Sequence, residues 1–545
     1  MNSLDLTLIK ELLREYKLNG KLDGVTILKI LGTSVIGLGV TYFIKIWSSY
    51  RFFKQRGIPT VDYKFFYGNS PEIFKNKNYS DQLKAWGQKY GKTYGYFEGH
   101  LPILVTSDLE IIQEVFIKQH TNFSARKRLL ISPDDDHPSM NLFSSSKLRW
   151  KKMRNVMNPT FSSVKLRELG PDLIKCTDRF IEILESEQNK KINVTEYLKR
   201  FTMDSIWNCA FGIDPNIQFD LDNEYYYKCE SVFLKQHNLG LVELTGVYFH
   251  ELKTKIFSLL SFVNKFMSKF IDLSSRYPMF WFLNRVMEIV EKRKLDGVKK
   301  KDYLQLLIDS EADYSKEDKS EVVDYSSVHL EKKLTVDEIK QNLMLFMFAG
   351  YETTSNTLGY CFHVLAKYQD EQKRLYDEIR SVFDSEADNQ INTDSVQKIE
   401  YLDMFIKEVL RYYTIGNIGV ARRCTKRTTI KGIDIPVDSV IAVDVLNLHY
   451  DPEHWGPVDP NHFYPSRFSK EFKRNPLAFM GFGNGPRNCI GMKFAMIELK
   501  IALCKFMLKY EILPLDESEK NLELVETVVR VPKSGVKVSF KKRAD

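Results

Sequence analysis

Phe482-Gly483-Asn484-Gly485-Pro486-Arg487-Asn488-Cys489-Ile490-Gly491 decides how the rest of the chain is read. Three glycines and a proline within ten residues describe a tight, non-helical loop that lets the backbone come close to a bulky partner. The following stretch, Met492 to Lys500, has the apolar spacing of a helix. Cys489 therefore precedes a helix N-terminus, where backbone N–H groups and the dipole favour a thiolate. Arg487, two residues upstream, can set a guanidinium beside an anionic group.

A cysteine taken at random is most often a small buried hydrophobe. A lone thiolate in a loop of this kind can instead ligate a haem iron and leave the opposite axial position open. Position by position, the stretch resembles the F-x-x-G-x-R-x-C-x-G pattern of the cytochrome P450 family. The resemblance implies that Cys489 is the proximal ligand of haem iron, that Arg487 pairs with a haem propionate, and that Phe482 and Gly491 shape the loop.

The totals suit that reading. The chain has 545 residues, 43% hydrophobic and 13% aromatic, enough for a large core. A formal charge of +8 without a polybasic block gives no footprint for nucleic acid. The seven cysteines contain no C-x-x-C pair, which excludes a disulfide framework and a zinc ribbon. Sequons at Asn78, Asn122 and Asn193 read as chance matches if the bulk of the chain is cytosolic.

Near the N-terminus, residues 25–47 are mostly apolar, with the cleanest run from Ile30 to Ile44. At about 1.5 Å per residue they span roughly 35 Å, enough for a hydrocarbon core. Lys29 can snorkel at one end, while Tyr42 and Trp47 suit the opposite interface. The expected organisation is a luminal segment at 1–24, a transmembrane anchor at 25–47, a linker at 48–62 hinged at Gly57-Ile58-Pro59, and a catalytic domain at 63–545. Basic residues flank the anchor on both sides and leave its orientation undecided. Resemblance to microsomal members implies a single-pass protein of the endoplasmic reticulum membrane with a cytosolic catalytic domain.

Further motifs extend the likeness. Trp150 and Arg154 sit four apart on one helix face, and in this order resemble the family's pair that holds a propionate. Thr335-Val336-Asp337-Glu338 is a capping box opening a long buried helix. That helix carries Ala349-Gly350-Tyr351-Glu352-Thr353-Thr354, which resembles the oxygen-activating motif A-G-x-[DE]-T-[TS]. By resemblance, Gly350 leaves room for dioxygen, Thr353 opens the helix ladder and bonds the oxygen or its water, and Glu352 relays protons. Glu408 and Arg411, with Arg467 of Tyr464-Pro465-Ser466-Arg467-Phe468, resemble the network that locks the fold behind the haem. Ala421-Arg422-Arg423-Cys424 resembles an R-x-C strand in which Arg422 reaches a propionate, with Arg423 the alternative if the register slips.

The resemblance implies a mainly α protein with a small β region, the cytochrome P450 fold, preceded by one transmembrane helix and closest to the family 3 and thromboxane-synthase branch. It implies a monooxygenase holding non-covalent haem b and acting on sterols, fatty acids or xenobiotics. No Rossmann or flavin-binding pattern is present. NADPH would therefore serve through a separate cytochrome P450 reductase, with cytochrome b5 as an optional second donor. Lys151, Lys152, Lys473 and Lys493 are candidates for the face meeting that acidic partner. The rival readings are a haem-thiolate isomerase and a non-catalytic haem- or sterol-binding protein. Pocket walls are expected from 132–146, 232–250, the segment after Arg411 and residues near Thr527.

Overall fold

The computed structural model describes residues 24–76, 78–128, 132–135, 137–138, 140–235, 241–267, 278–312, 332–385, 390–526 and 528–544. Nearly all of the expected luminal segment 1–24, most of the charged connection 309–333, and Thr527 lie outside them.

The apolar N-terminal run forms helix α1 (Gly24–Ser49). Its stretch Leu31–Ser49 is long and apolar enough to cross a membrane, and little of it is buried against the rest of the chain. The expected linker is more than a tether. Ile46, Tyr50, Phe53 and Ile58 are buried in one cluster with Leu104 and Ile441. The Tyr50 hydroxyl donates to the Gly99 carbonyl at 2.8 Å, and its ring stacks on Tyr63 with centroids 4.5 Å apart. These aromatics bury too much apolar surface to be left in a free linker.

A hairpin of β1 (Thr93–Glu98) and β2 (Leu101–Thr106) begins the sheet, and β3 (Ala125–Arg126) is its far edge. The helices that matter here are α2 (Lys147–Met157), α3 (Gly170–Glu185), α4 (Val194–Phe211), α5 (Glu224–Lys235), α6 (Leu241–Tyr248), α7 (Lys253–Met267) and α8 (Pro278–Asp296). They are followed by α9 (Val336–Lys367), α10 (Gln369–Ser385) and α11 (Glu400–Tyr412). Strands β4 (Arg422–Arg423) and β5 (Val440–Val443) then return to the sheet, and α12 (Met492–Lys509) follows the cysteine loop. The sheet order is β1-β2-β5-β4-β3, with β2 and β5 parallel and the other pairs antiparallel.

Helix α9 starts at the expected capping box. The Glu338 N–H donates to Thr335 Oγ1 at 3.2 Å, and the Thr335 N–H donates to Glu338 Oε2 at 3.0 Å. Beyond that start its core residues, among them Leu343, Met347, Leu358 and Leu365, are buried in two clusters shared with α4, α8, α11 and α12. Glu338 also holds Arg149 at 2.8 Å and Lys152 at 3.1 Å. Lys152, expected on a partner-facing surface, is therefore committed to an internal ion pair.

The Glu408–Arg411–Arg467 network forms as its motif implied, with all three side chains wholly buried. Glu408 accepts from Arg411 at 2.7 and 2.8 Å and from Arg467 at 2.9 Å. The surplus guanidinium donors go to the carbonyls of His449, Pro460, Trp455, Val458, Asp459 and His462. One carboxylate and a ring of carbonyl oxygens thus satisfy two buried cations. His449 extends the network: it lies 3.1 Å from the Arg411 carbonyl by Nδ1 and accepts the Met480 N–H by Nε2 at 2.8 Å. Because Nε2 must accept, Nδ1 carries the proton and donates. Burial pushes His449 down to about 3, so the ring stays neutral and ties α11 to the strand entering the cysteine loop.

Glu498 of α12 is buried with no cation beside it and only the Ser205 hydroxyl opposing the rise, and burial pushes its carboxyl up to about 8. Below the unfolded value near 4.5 both states hold the proton. As pH rises from there to about 8 the unfolded chain ionises first, so folding stability falls across that window. Glu498→Gln is expected to flatten this slope in urea unfolding measured from pH 5 to 8. Arg411→Ala, which takes one of two buried cations from Glu408 and leaves the His449 and Pro460 carbonyls without their donor, is expected to cost about 3–5 kcal/mol in the same measurement. A loss below 1 kcal/mol would contradict the structural role given to the network.

Candidate functional site

The cysteine loop is closed by its own backbone. The Cys489 N–H donates to the Phe482 carbonyl at 2.8 Å, the Asn488 N–H to Gly485 at 3.0 Å, and the Gly483 N–H to Met480 at 2.9 Å. Gly485 has φ +73°, and a Cβ there would lie 2.1 Å from the Phe116 carbonyl oxygen, so both conformation and space require glycine. Gly491 has ordinary backbone angles and room for a Cβ. It contributes through its N–H, which bonds the Cys489 sulfur.

Cys489 is exposed, whereas the other six cysteines are buried. Its sulfur is open on one side, while the surrounding protein raises the thiol pKa; the Gly491 N–H, Arg154 and Arg126 act the other way. The helix start expected to favour the thiolate is thus present but outweighed by burial in the protein alone. A metal ion at the sulfur reverses that balance, because a coordinating thiol is deprotonated.

Four guanidiniums gather beside the loop. Arg487 donates to the carbonyls of Ser124, Leu142 and Phe143, and its Nε is buried without a partner. Arg154 holds the Asn488 carbonyl at 2.8 Å and its side-chain oxygen at 2.9 Å. Arg126 donates to the carbonyls of Gly419, Phe143 and Arg487. Arg422 donates to those of Gly419 and Ala421 and lies over the Phe116 ring at 4.3 Å. The Arg487 guanidinium lies 5.1 Å from the centre of the Trp150 ring, so α2 brings Trp150 and Arg154 to the same place as expected.

Among the described residues no carboxylate pairs with any of these four arginines. The strand register makes matters worse: Arg126 stands directly opposite Arg422, a like-charge pair that repels. Burial and mutual repulsion push Arg422 and Arg487 well below the usual guanidinium value, and burial brings Arg126 down to about 10. Arg423 has the opposite surroundings, paired with Asp135 at 2.6 Å and Asp438 at 2.5 Å. Of the two adjacent arginines, Arg422 is therefore the one with charge to spare.

Such a set calls for a group with two negative charges and an atom that binds thiolate. Haem, with two propionates and an iron, fits the donors: Arg126, Arg422 and Arg487 as anion partners, and the open sulfur of Cys489 as ligand. Arg126 carries no motif. It is found only through the pairing of β3 with β4.

The oxygen-motif residues divide between two faces of α9. Thr353 is half-buried beside exposed Ala349, one turn apart on the same face. Its hydroxyl donates to the Ala349 carbonyl at 2.6 Å, and the helix runs unbroken, so the expected opening of the ladder is not found. The donated proton leaves the hydroxyl lone pairs free to accept. At Gly350 a Cβ would lie 2.7 Å from Ile206 Cδ1, so its missing side chain also serves the close crossing of α9 over α4. Glu352 is buried, accepts from Asn356 at 3.2 Å and faces Lys199 at 3.8 Å, with Oε2 lacking a hydrogen bond. Burial raises its carboxyl and Lys199 opposes the rise. Lys199, on α4, was not visible as part of the motif.

On the outer side of the loop a recess of about 430 Å³ is lined by His120, Lys147, Lys151, Arg154, Pro486 and Asn488 among others.

A profile of the cytochrome P450 family matches residues 59–540. The Caenorhabditis elegans cytochrome P450 CYP13A3 is 32% identical over 529 residues, covering 93% of this chain and 97% of the relative. Mouse cytochrome P450 3A11 is 31% identical over 489 residues, covering 87% and 88%. The cysteine loop, the uncompensated arginines and this end-to-end similarity agree: the chain belongs to the cytochrome P450 family of haem-thiolate monooxygenases.

Proposed function

We propose that this protein is a membrane-anchored monooxygenase of large lipophilic molecules, built around non-covalent haem b with Cys489 as the proximal ligand. The observation that carries the reading is the cluster of Arg126, Arg422 and Arg487 beside an open thiol, with no acid in the described structure to offset it. When bound, the haem supplies the activation of dioxygen; the chain supplies orientation, dryness and protons.

Arg487, Arg126 and Arg422 hold the propionates, and Trp150 fixes the Arg487 guanidinium by its ring. Arg154 acts on the loop itself, clamping Asn488 next to the ligand. Thr353 presents an acceptor hydroxyl to the space beside Ala349. Glu352, whose carboxyl burial raises above its usual value and which lies 3.8 Å from Lys199, is the proton source behind it. Transfer from Glu352 to Thr353 requires a water or a rotamer change, because the two face different sides of α9.

Electrons come singly from NADPH through a flavoprotein reductase, docked at the recess near Lys147 and Lys151 with Lys473 and Lys493 exposed as further contacts. Helix α1 anchors the protein in the endoplasmic reticulum membrane with the catalytic domain cytosolic. The substrate class, sterol, fatty acid or xenobiotic, is read from the apolar walls of α5–α8 and the helix α7, which exposes Leu259, Phe262 and Phe266.

The first test is the carbon monoxide difference spectrum of the reduced protein. A strongly red-shifted Soret band is expected, lost in Cys489→Ala; a band typical of histidine-ligated haem would refute the ligand assignment. Arg422→Ala is expected to speed haem transfer to an acceptor protein by about 10- to 100-fold, since one charge-assisted hydrogen bond contributes about 1.5–3 kcal/mol. Arg423→Ala is expected to leave that rate within about threefold and to destabilise the fold through Asp135 instead. Thr353→Ala and Glu352→Gln should divert reductase electrons from product to hydrogen peroxide, with total NADPH consumption within about tenfold of wild type. Unchanged product yield per NADPH in both variants would remove them from proton delivery.

A further inference from the structure

The catalytic-domain end of α1, the β1–β2 turn and the short turn His250–Leu252 between α6 and α7 meet at a group of side chains that the haem chemistry does not use. His100, from the hairpin turn, has no exposed surface. Its Nε2 lies 2.9 Å from Glu251 Oε1, and its Nδ1 is buried without a partner. His250 Nδ1 lies 3.7 Å from Glu251 Oε2, beyond hydrogen-bond reach, and is likewise buried and unpartnered. The two imidazole rings are 4.3 Å apart between centroids.

Two imidazoles and one carboxylate form a donor set suited to zinc. The three ligand atoms lie within 4.8 Å of one another. The His100 contact is to Oε1 and the His250 contact to Oε2, so the two imidazoles face the two oxygens of one carboxylate. Side-chain rotation that closes the three ligand atoms from within 4.8 Å to the roughly 3.4 Å spacing of tetrahedral ligands would bring them onto one ion, leaving a fourth position for water.

Two cations and a hydroxyl surround the same carboxylate. Lys45 of α1 lies 2.7 Å from Glu251 Oε1, and the Tyr42 hydroxyl donates to Oε2 at 3.4 Å. Lys253, at the start of α7, is a second nearby cation. Lys45, at the catalytic-domain end of the anchor, is 54% exposed on a flexible stem that can snorkel to the membrane surface, so it acts as a displaceable competitor.

We propose that His100, His250 and Glu251 bind a divalent transition-metal ion of the zinc type in competition with Lys45. Occupancy pins the turn between α6 and α7 to the sheet and releases that turn from the anchor helix. The ion thereby couples α6 and α7 to the membrane end of the fold.

The test is isothermal titration of the haem-loaded full chain in lipid nanodiscs with Zn²⁺ at pH 7.5. One site is expected. His250→Ala and Glu251→Gln, verified as folded by circular dichroism, should each weaken it by at least about tenfold. Lys45→Gln should tighten it by about threefold or more, because the competing cation is gone. This gain cannot arise from misfolding. A second cluster, Asp451, Glu453 and His454, already holds Lys92 at 3.0 and 2.6 Å, and Glu453→Gln serves as the control. Absence of binding, binding indifferent to His250→Ala and Lys45→Gln, or binding lost only in Glu453→Gln would each overturn the assignment.

Discussion

Buried positive charge without its own counter-charge is the constraint on which this structure turns. Arg126, Arg422 and Arg487 are each enclosed by protein, donate only to carbonyl oxygens, and repel one another. Burying a cation is costly unless an anion accompanies it. The chain accepts that cost beside the cysteine loop and offsets it at several other arginines. Arg411 and Arg467 share Glu408, Arg423 takes Asp135 and Asp438, and Arg149 takes Glu338. The exception marks the cofactor site more sharply than any single motif residue.

The supporting framework is mechanically continuous with that site. The Glu408 network fixes α11 to the segment around Arg467, and neutral His449 passes the constraint to Met480, whose carbonyl closes the cysteine loop through Gly483. From the other side, α9 approaches α12 through Phe346 and Phe494, with ring centroids 6.4 Å apart. The loop is thus held between a polar network behind and a packed helix in front. Such rigidity suits a thiolate ligand, whose position sets the geometry of everything bound to it.

Much of this was legible from residue order. The cysteine loop, the capping box at Thr335, the Glu408–Arg411–Arg467 triad and the apolar N-terminal helix each follow from local chemistry: glycine conformations, cap donors, charge spacing and hydropathy. Where sequence reading fell short, the reason was long-range. Gly350 answers also to Ile206, 144 positions earlier, a contact its motif does not carry. Lys152 answers to Glu338, and the residues taken for a linker answer to Leu104 and Ile441.

The sequence by itself determined the family and the mainly helical fold, because these rest on residues close together in the chain. Only the tertiary structure separates Arg422, which has no carboxylate partner among the described residues, from Arg423, which pairs with Asp135, since that difference depends on neighbours brought in by strand pairing. Only it revealed His449 as a relay and assembled His100 with His250 and Glu251. Charge balance and ligand geometry are properties of neighbours in space, and chain order does not encode them locally.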